Sequence, residues 1–246
     1  MSGATHPPLR ILLAALGGEG GGVLMNWIVQ AARDAGLVAQ ATSVPGVAQR
    51  TGSTSYYIEI AGKDAAGSVL SLVPMPGRVD VVVSSELVET ARVMAAGFVS
   101  PKLTTLISST ARTYSTAEKI QLGDGRYSED NVRRTAEALA RDSYLLDLGQ
   151  IANDSATFVS ATMFGALAGS GVLPWDIAAS RAVLGEGRSA TASRAGFDAA
   201  AQTVQDLRAG PAPAPAPAAP ALAFASCKPA TSASSPDGRA PSSSND

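Results

Sequence analysis

The stretch "LRILLAALGGEGGGVLMNWIVQAARDAG", Leu9 to Gly36, decides how this chain is read. Its first part, Leu9 to Leu16, is short, almost wholly apolar, and ends in glycines. A strand reads this way when it lies inside a parallel sheet with both faces covered by helices. Gly17 to Gly22 breaks the run. From Val23 to Ala35 the spacing becomes helical, with Val23, Trp27, Ala31 and Ala35 recurring every fourth residue, and Gly36 supplies a stop. Strand, glycine turn and helix in that order open a Rossmann-like sheet.

The rest of the chain continues the alternation. Val38 to Val44 predicts a second strand, and Thr54 to Ile60 alternates as a third, turned by Ala61-Gly62-Lys63-Asp64. Val79 to Val83 is a further apolar strand. Ser84 and Ser85 stand where they can cap a helix that begins near Glu86 and ends before Gly97. Thr104 to Ser108 reads as a strand, and Ser115-Thr116-Ala117-Glu118 matches the capping-box pattern of a helix start. Asn131 to Ala140 predicts a helix, Ser143 to Leu148 a strand, Ala156 to Leu167 a buried helix, and Ala190 to Leu207 a last helix. The expected class is α/β: a Rossmann-like layered sheet, largely parallel, with helices on both faces. Beyond Arg208 the composition changes. Eight of the 15 prolines fall there, and an alternating Pro-Ala run from Pro211 to Pro220 favours a stiff extended spacer. This divides the chain into a flexible lead over 1–8, a folded domain over 9–208 and a disordered Pro/Ala/Ser-rich tail over 209–246.

Composition narrows the function. The 246 residues are 46% hydrophobic, enough for a sizeable core, and the net charge of −2 advertises neither nucleic acid nor an anionic membrane as partner. One cysteine, Cys227, cannot supply the four thiolates of an iron–sulfur cluster. The one histidine, His6, lies in the lead, so chemistry that needs an internal histidine must borrow it. No signal sequence opens the chain, and Phe158 to Leu173, its most apolar later segment, is shorter than the roughly 20 residues a membrane span requires. The expectation is a soluble, cytoplasmic protein.

Two loops carry the candidate chemistry. Gly17, Gly18, Gly20 and Gly21 sit between strand and helix, where backbone N–H groups and the helix N-terminus make a site for an anion. The plainer alternative is a tight turn that lets helix and sheet pack closely. A dinucleotide fingerprint is incomplete: Ala15 replaces its first glycine, and no acid ends the second strand to hold a ribose. Glu19 would also repel a pyrophosphate unless it turns away. The second loop runs within "SVPGVAQRTGSTSYYIEI", Ser43 to Ile60, where Arg50 is the one charge between Asp34 and Glu59. Its guanidinium offers a planar donor fork for carboxylate or phosphate. An intrachain ion pair that pins the loop is the alternative reading. Pro45 fixes the corner, Gly46 and Gly52 hinge it, and Gln49 and Thr51 add hydrogen-bonding groups. Glu86 follows a strand's carboxyl end, where open α/β sheets bind ligands, although a carboxylate there also simply suits a helix N-terminus. Tyr56 and Tyr57 point to opposite faces of their strand, so one is expected in the core and the other at a surface or interface. Trp27 reads as packing.

Taken together, "AALGGEGGGVLMNWIVQAA", "TSVPGVAQRTGSTSYYIEI", "STAEK" and "FGALAGSGVLP" resemble the beta subunits of indolepyruvate ferredoxin oxidoreductase, the gamma-type domain of the 2-oxoacid:ferredoxin (acceptor) oxidoreductases. The resemblance covers about residues 9 to 207. It implies a subunit that completes the active site of an enzyme oxidatively decarboxylating aryl 2-oxo acids. In that arrangement a larger alpha subunit carries thiamine diphosphate, Mg²⁺ and the iron–sulfur clusters, ferredoxin or a similar acceptor takes the electrons, and coenzyme A can accept the acyl group. The chain by itself is then expected to hold no cofactor and not to turn over. Gly123-Asp124-Gly125 has the tripeptide of a thiamine site without the pattern that should follow it. Two positions depart from the family's habit: Glu19 replaces its usual glutamine, and Pro45 stands where many relatives carry histidine. Two alternatives stay open, a free-standing nucleotide- or coenzyme A-binding module and a purely structural partner.

Overall fold

Leu9–Leu16 forms β1, third in a six-stranded sheet, and its five residues from Ile11 to Ala15 are buried. The computed structural model describes residues 7–45, 53–65, 69–111 and 128–210. The capping box at 115–118, the tripeptide at 123–125, the lead to residue 6 and the tail from 211 lie outside them. The sheet order is β2 (Val38–Pro45), β3 (Ser53–Ala61), β1, β4 (Val81–Ser84), β5 (Thr105–Ser109) and β6 (Asp142–Leu146). β1, β4, β5 and β6 are mutually parallel, whereas β3 runs antiparallel to both β1 and β2. The sheet is thus mostly parallel, as the alternation predicts. The reversal at β3 follows from the connection: seven residues, 46–52, join it to β2, and a parallel crossover needs a dozen or more.

Helices cover both faces. α1 (Gly21–Asp34), α5 (Val159–Gly169) and α7 (Arg188–Ala209) pack with Ile11, Leu13, Ile58, Val81, Val83 and Ile107 in one cluster. α2 (Leu87–Ala95) and α3 (Glu129–Leu139) close a second cluster over Leu12, Ala14, Val82 and Leu106. Two short helices, α4 (Leu148–Asp154) and α6 (Ile177–Ala182), were not expected from apolar periodicity. Their caps were the signal available: Asp147 accepts from the Gln150 N–H at 2.8 Å, and Asp176 from the Ala179 N–H at 2.7 Å. The expected strand end at Leu148 accordingly moves back to Leu146, where Asp147 starts α4.

α5 is buried on every side from Ser160 to Gly169, the pattern of an interior helix. The ring of Phe164 meets Phe197 edge-on at 5.4 Å and Trp27 in a stack at 6.1 Å. Burying each such ring contributes on the order of 2–3 kcal/mol. In α1 the buried residues are Gly21, Leu24, Ile28, Ala31 and Ala32, and Val23 is 48% exposed. A strict four-residue step drifts about 40° per step around a 3.6-residue helix, so the line starts off the core face at Val23 and reaches it at Ala31.

The serine caps expected for α2 are also corrected. The N-cap is Glu86, and no side chain caps there. Ser84 instead hydrogen-bonds the Thr90 hydroxyl, and Ser85 accepts from the Leu16 N–H at 3.3 Å. Of the two tyrosines, Tyr57 is the core residue and Tyr56 is half-buried. Tyr56 packs over Gly21 and Gly22 of α1, and Tyr57 is buried because the segment from Leu70 crosses its face of the sheet.

Candidate functional site

The site is built where the parallel strands end. The helix after β1 lies on one face and the helix after β4 on the other, which makes the carboxyl ends of β1 and β4 the topological switch point, the place at which open α/β sheets bind ligands. β1 leaves it through a tight turn in which the Glu19 N–H donates to the Leu16 carbonyl at 3.2 Å. The Glu19 carboxylate folds back to accept from the Leu16 N–H at 2.9 Å, which engages its charge against β1. Gly17 and Gly18 are exposed, whereas Gly21 is buried. Gly20, with φ 80°, is the N-cap of α1. No side chain caps α1, and its first turn carries no acid. Its first N–H groups therefore have no intrahelical acceptor.

The register brings the second loop to the same edge. Ser53 of β3 pairs with Leu16, and Thr54 pairs with Pro45 at the end of β2. Both roots of segment 46–52 stand beside the glycine turn. Gly46, Gln49, Arg50, Thr51 and Gly52 lie outside the described residues. Pro45 is described as the last residue of the strand. On the β4 side, the Ser85 N–H donates to the Ala14 carbonyl at 3.0 Å, and Glu86 follows in extended conformation, 2% exposed. Its carbonyl accepts from the Thr90 N–H at 3.1 Å.

Sequence reasoning missed two groups at this edge. Ser84, Thr90 and Ser108 form a fully buried hydroxyl chain, with Thr90 and Ser108 2.5 Å apart and Ser108 donating onward to the Ser109 carbonyl at 3.0 Å. It ties α2 to the ends of β4 and β5. The "SSE" and "SST" strand ends were its only trace. The second is Arg92, which donates to the buried Glu89 carboxylate through Nε at 2.9 Å and Nη2 at 2.6 Å, and to Ser55 Oγ at 3.0 Å. This pins α2 to β3 two residues from the root of segment 46–52. On the same face Tyr57 donates to Glu59 at 2.6 Å, and burial, with the Glu59 carboxylate beside it, raises its pKa. Burial likewise raises that of Tyr144. Among the described residues, no three His, Cys, Asp or Glu side chains gather closely enough to hold a metal ion, and no helix is long and apolar enough to cross a membrane.

This is the arrangement of an open α/β sheet whose strand order reverses at β1 and β4, and comparison with known proteins gives the family. Residues 10–203 match the model of the family described as pyruvate ferredoxin/flavodoxin oxidoreductase, and the chain belongs to that family. The fold is similar to pyruvate oxidoreductase subunit PORC from Thermotoga maritima, at 17% identity and TM-score 0.52 over 80% of this chain and 97% of that one. It is similar to the gamma subunit of keto/oxoacid ferredoxin oxidoreductase from Geobacter sulfurreducens, at 13% identity and TM-score 0.52 over 80% and 99%. A third likeness is to 2-oxoglutarate:ferredoxin oxidoreductase from Magnetococcus marinus, with 2-oxoglutarate, coenzyme A and succinyl-CoA bound, at 15% identity and TM-score 0.56. There the match takes in 82% of this chain but 32% of that one. None of the curated proteins matches the chain significantly in sequence.

Proposed function

We propose that this chain is the gamma-type (beta) subunit of a 2-oxoacid:ferredoxin oxidoreductase acting on aryl 2-oxo acids such as indolepyruvate, and that its carboxyl edge completes the active site. The observation that carries the reading is convergence. The glycine turn, both roots of the Arg50 segment and the Ser84–Glu86 strand end meet at one switch point. In this reading thiamine diphosphate, Mg²⁺ and the iron–sulfur clusters belong to a larger alpha subunit, and ferredoxin or a similar protein takes the electrons. Thiamine diphosphate, when bound there, supplies the carbanion stabilisation that decarboxylation needs.

This chain's contribution is binding and orientation. The uncapped start of α1, with the Glu19 carboxylate turned back on Leu16, suits an anion such as a coenzyme A phosphate. Arg50 is assigned the substrate carboxylate, which a guanidinium grips through two parallel hydrogen bonds. Glu89, Arg92 and Ser55 hold α2 against the strand that carries the Arg50 segment, so Arg92 is a positioning residue.

Arg50→Ala in the assembled complex tests the assignment. A charge-assisted hydrogen bond contributes about 1.5–3 kcal/mol, so kcat/KM should fall roughly 10- to 150-fold while gel filtration still returns the intact complex. Loss of assembly instead would make the loop a docking element. Turnover of indolepyruvate and phenylpyruvate against pyruvate and 2-oxoglutarate tests the aryl preference, which fails if either small acid is the better substrate by kcat/KM.

A further inference from the structure

The segment between β3 and β4 has its polarity inverted. Residues 65–77, AAGSVLSLVPMPG, contain no charge, although Asp64 and Arg78 flank them. Where this strap crosses β3 and β2, its backbone is tied down by polar side chains beneath it. The Ser71 N–H donates to the buried Glu59 carboxylate at 2.7 Å, and Thr42 Oγ1 donates to the Leu72 carbonyl at 2.6 Å. Leu70 alone of its large apolar side chains is buried. Val69, Leu72, Val73 and Met75 face outward, 99%, 61%, 59% and 60% exposed, four of the seven exposed large apolar side chains among the described residues. Folding alone gives no reason to bury the carboxylate and display the hydrocarbon. Together the four present on the order of 400 Å² of apolar surface, the size of the largest patch on a typical monomer, which is often functional.

The strap borders a second feature. Among the described residues β2 is the edge strand of the sheet, and VAQATSVP contains none of the charges by which proteins blunt such an edge. Thr42, the strap's anchor, belongs to β2, so the two form one uncharged surface.

Area selects the occupant. Two straps facing one another across a two-fold axis would bury roughly 800 Å², the size of a packing contact and short of the ~1,000 Å² a specific interface needs. A partner large enough to surround the strap and reach the β2 edge meets the requirement. Such a partner has a precedent in the fold, which matches about a third of the M. marinus chain and is there one part of a longer polypeptide. We infer that the strap at Val69–Met75 and the edge of β2 form the docking surface for an apolar face of the larger subunit of the oxidoreductase. This rests on the chain being one subunit of such an enzyme.

The test uses the full chain and its native complex. Leu72→Asp and Met75→Asp change exposed side chains, so the free variants should keep the urea midpoint of the wild type. In titrations against the purified large subunit, each should raise Kd by roughly 30-fold or more, as loss of a central apolar anchor does. Gln205→Asp, on an exposed turn of α7, should leave Kd unchanged. Hydrogen exchange should slow at 69–75 and in β2 when the complex forms. Unchanged Kd without such protection would overturn the surface and leave the proposed function standing. A free dimer that the variants dissociate, with Kd for the large subunit unchanged, would overturn it in favour of a second copy. If the wild-type chain binds no thiamine-dependent large subunit at all, the proposed function falls, and the docking surface with it.

Discussion

At Gly20 two separate demands exclude any side chain. Its φ of 80° is left-handed, and a Cβ there would lie 2.8 Å from Ser160 Oγ at the start of α5. Gly20→Ala should therefore destabilise the fold by about 1–3 kcal/mol, read from the urea midpoint. The two causes separate in the double variant: Ser160→Gly removes the contact and recovers part of the loss, while about 1 kcal/mol of backbone strain remains. Full recovery would mean that the backbone conformation is not what selects glycine. The position of this turn was legible, because an apolar run followed by glycines and a helical period has few other folds. What each glycine does was not. Gly21 lies under the ring of Tyr56, whose Cε2 would be 2.5 Å from a Cβ, and that contact spans 35 residues of sequence. Thr90 was equally silent. Thr90→Val keeps the shape but leaves the buried hydroxyls of Ser84 and Ser108 without their shared partner, and should cost about 1–3 kcal/mol in the same assay.

Between elements, the closest approach is α5 against α7. A Cβ at Gly165 would run into the carbonyl of Phe197, and one at Gly169 would lie 2.5 Å from the carbonyl of Ala201. Both obstacles are backbone and cannot rotate aside, so Gly165→Ala should cost about 3 kcal/mol or more, visible as a lower urea midpoint with the helical circular dichroism retained. An unchanged midpoint would mean that the helices are further apart than described. Local pattern found α5 and α7 because their apolar content outlasts any turn. It did not find α4 and α6, at seven and six residues, since fewer than two turns cannot establish a period. It also missed the burial of Glu59. Alternation places Glu59 on one face of β3, and whether that face is wet depends on a strap that returns 12 residues later.

Over the whole molecule, buried Tyr57 and half-buried Tyr144 bear on how the fold meets alkali. Tyr57 and Tyr144 both titrate above an ordinary tyrosine, first because burial disfavours the phenolate and then because Glu59 and Asp142 add negative charge nearby. Below the unfolded value of about 10, native and unfolded chains bind these protons equally, and the stability tied to them is complete. Above it the unfolded chain releases them first. The native state then holds more protons, and stability falls as pH rises, until the folded values are passed. Each tyrosine steepens the decline by up to about 1.4 kcal/mol per pH unit. Tyr57→Phe removes one titration and, at neutral pH, one donor from the buried Glu59 carboxylate. The variant should therefore begin about 1–3 kcal/mol less stable at pH 8, and its unfolding free energy should decline more gently between pH 10 and 11, so that the two curves converge. Urea titrations at half-unit steps from pH 8 to 11 give both quantities. Parallel curves would show that Tyr57 releases its proton as readily in the fold as out of it, and that the strap does not seal this face of the sheet.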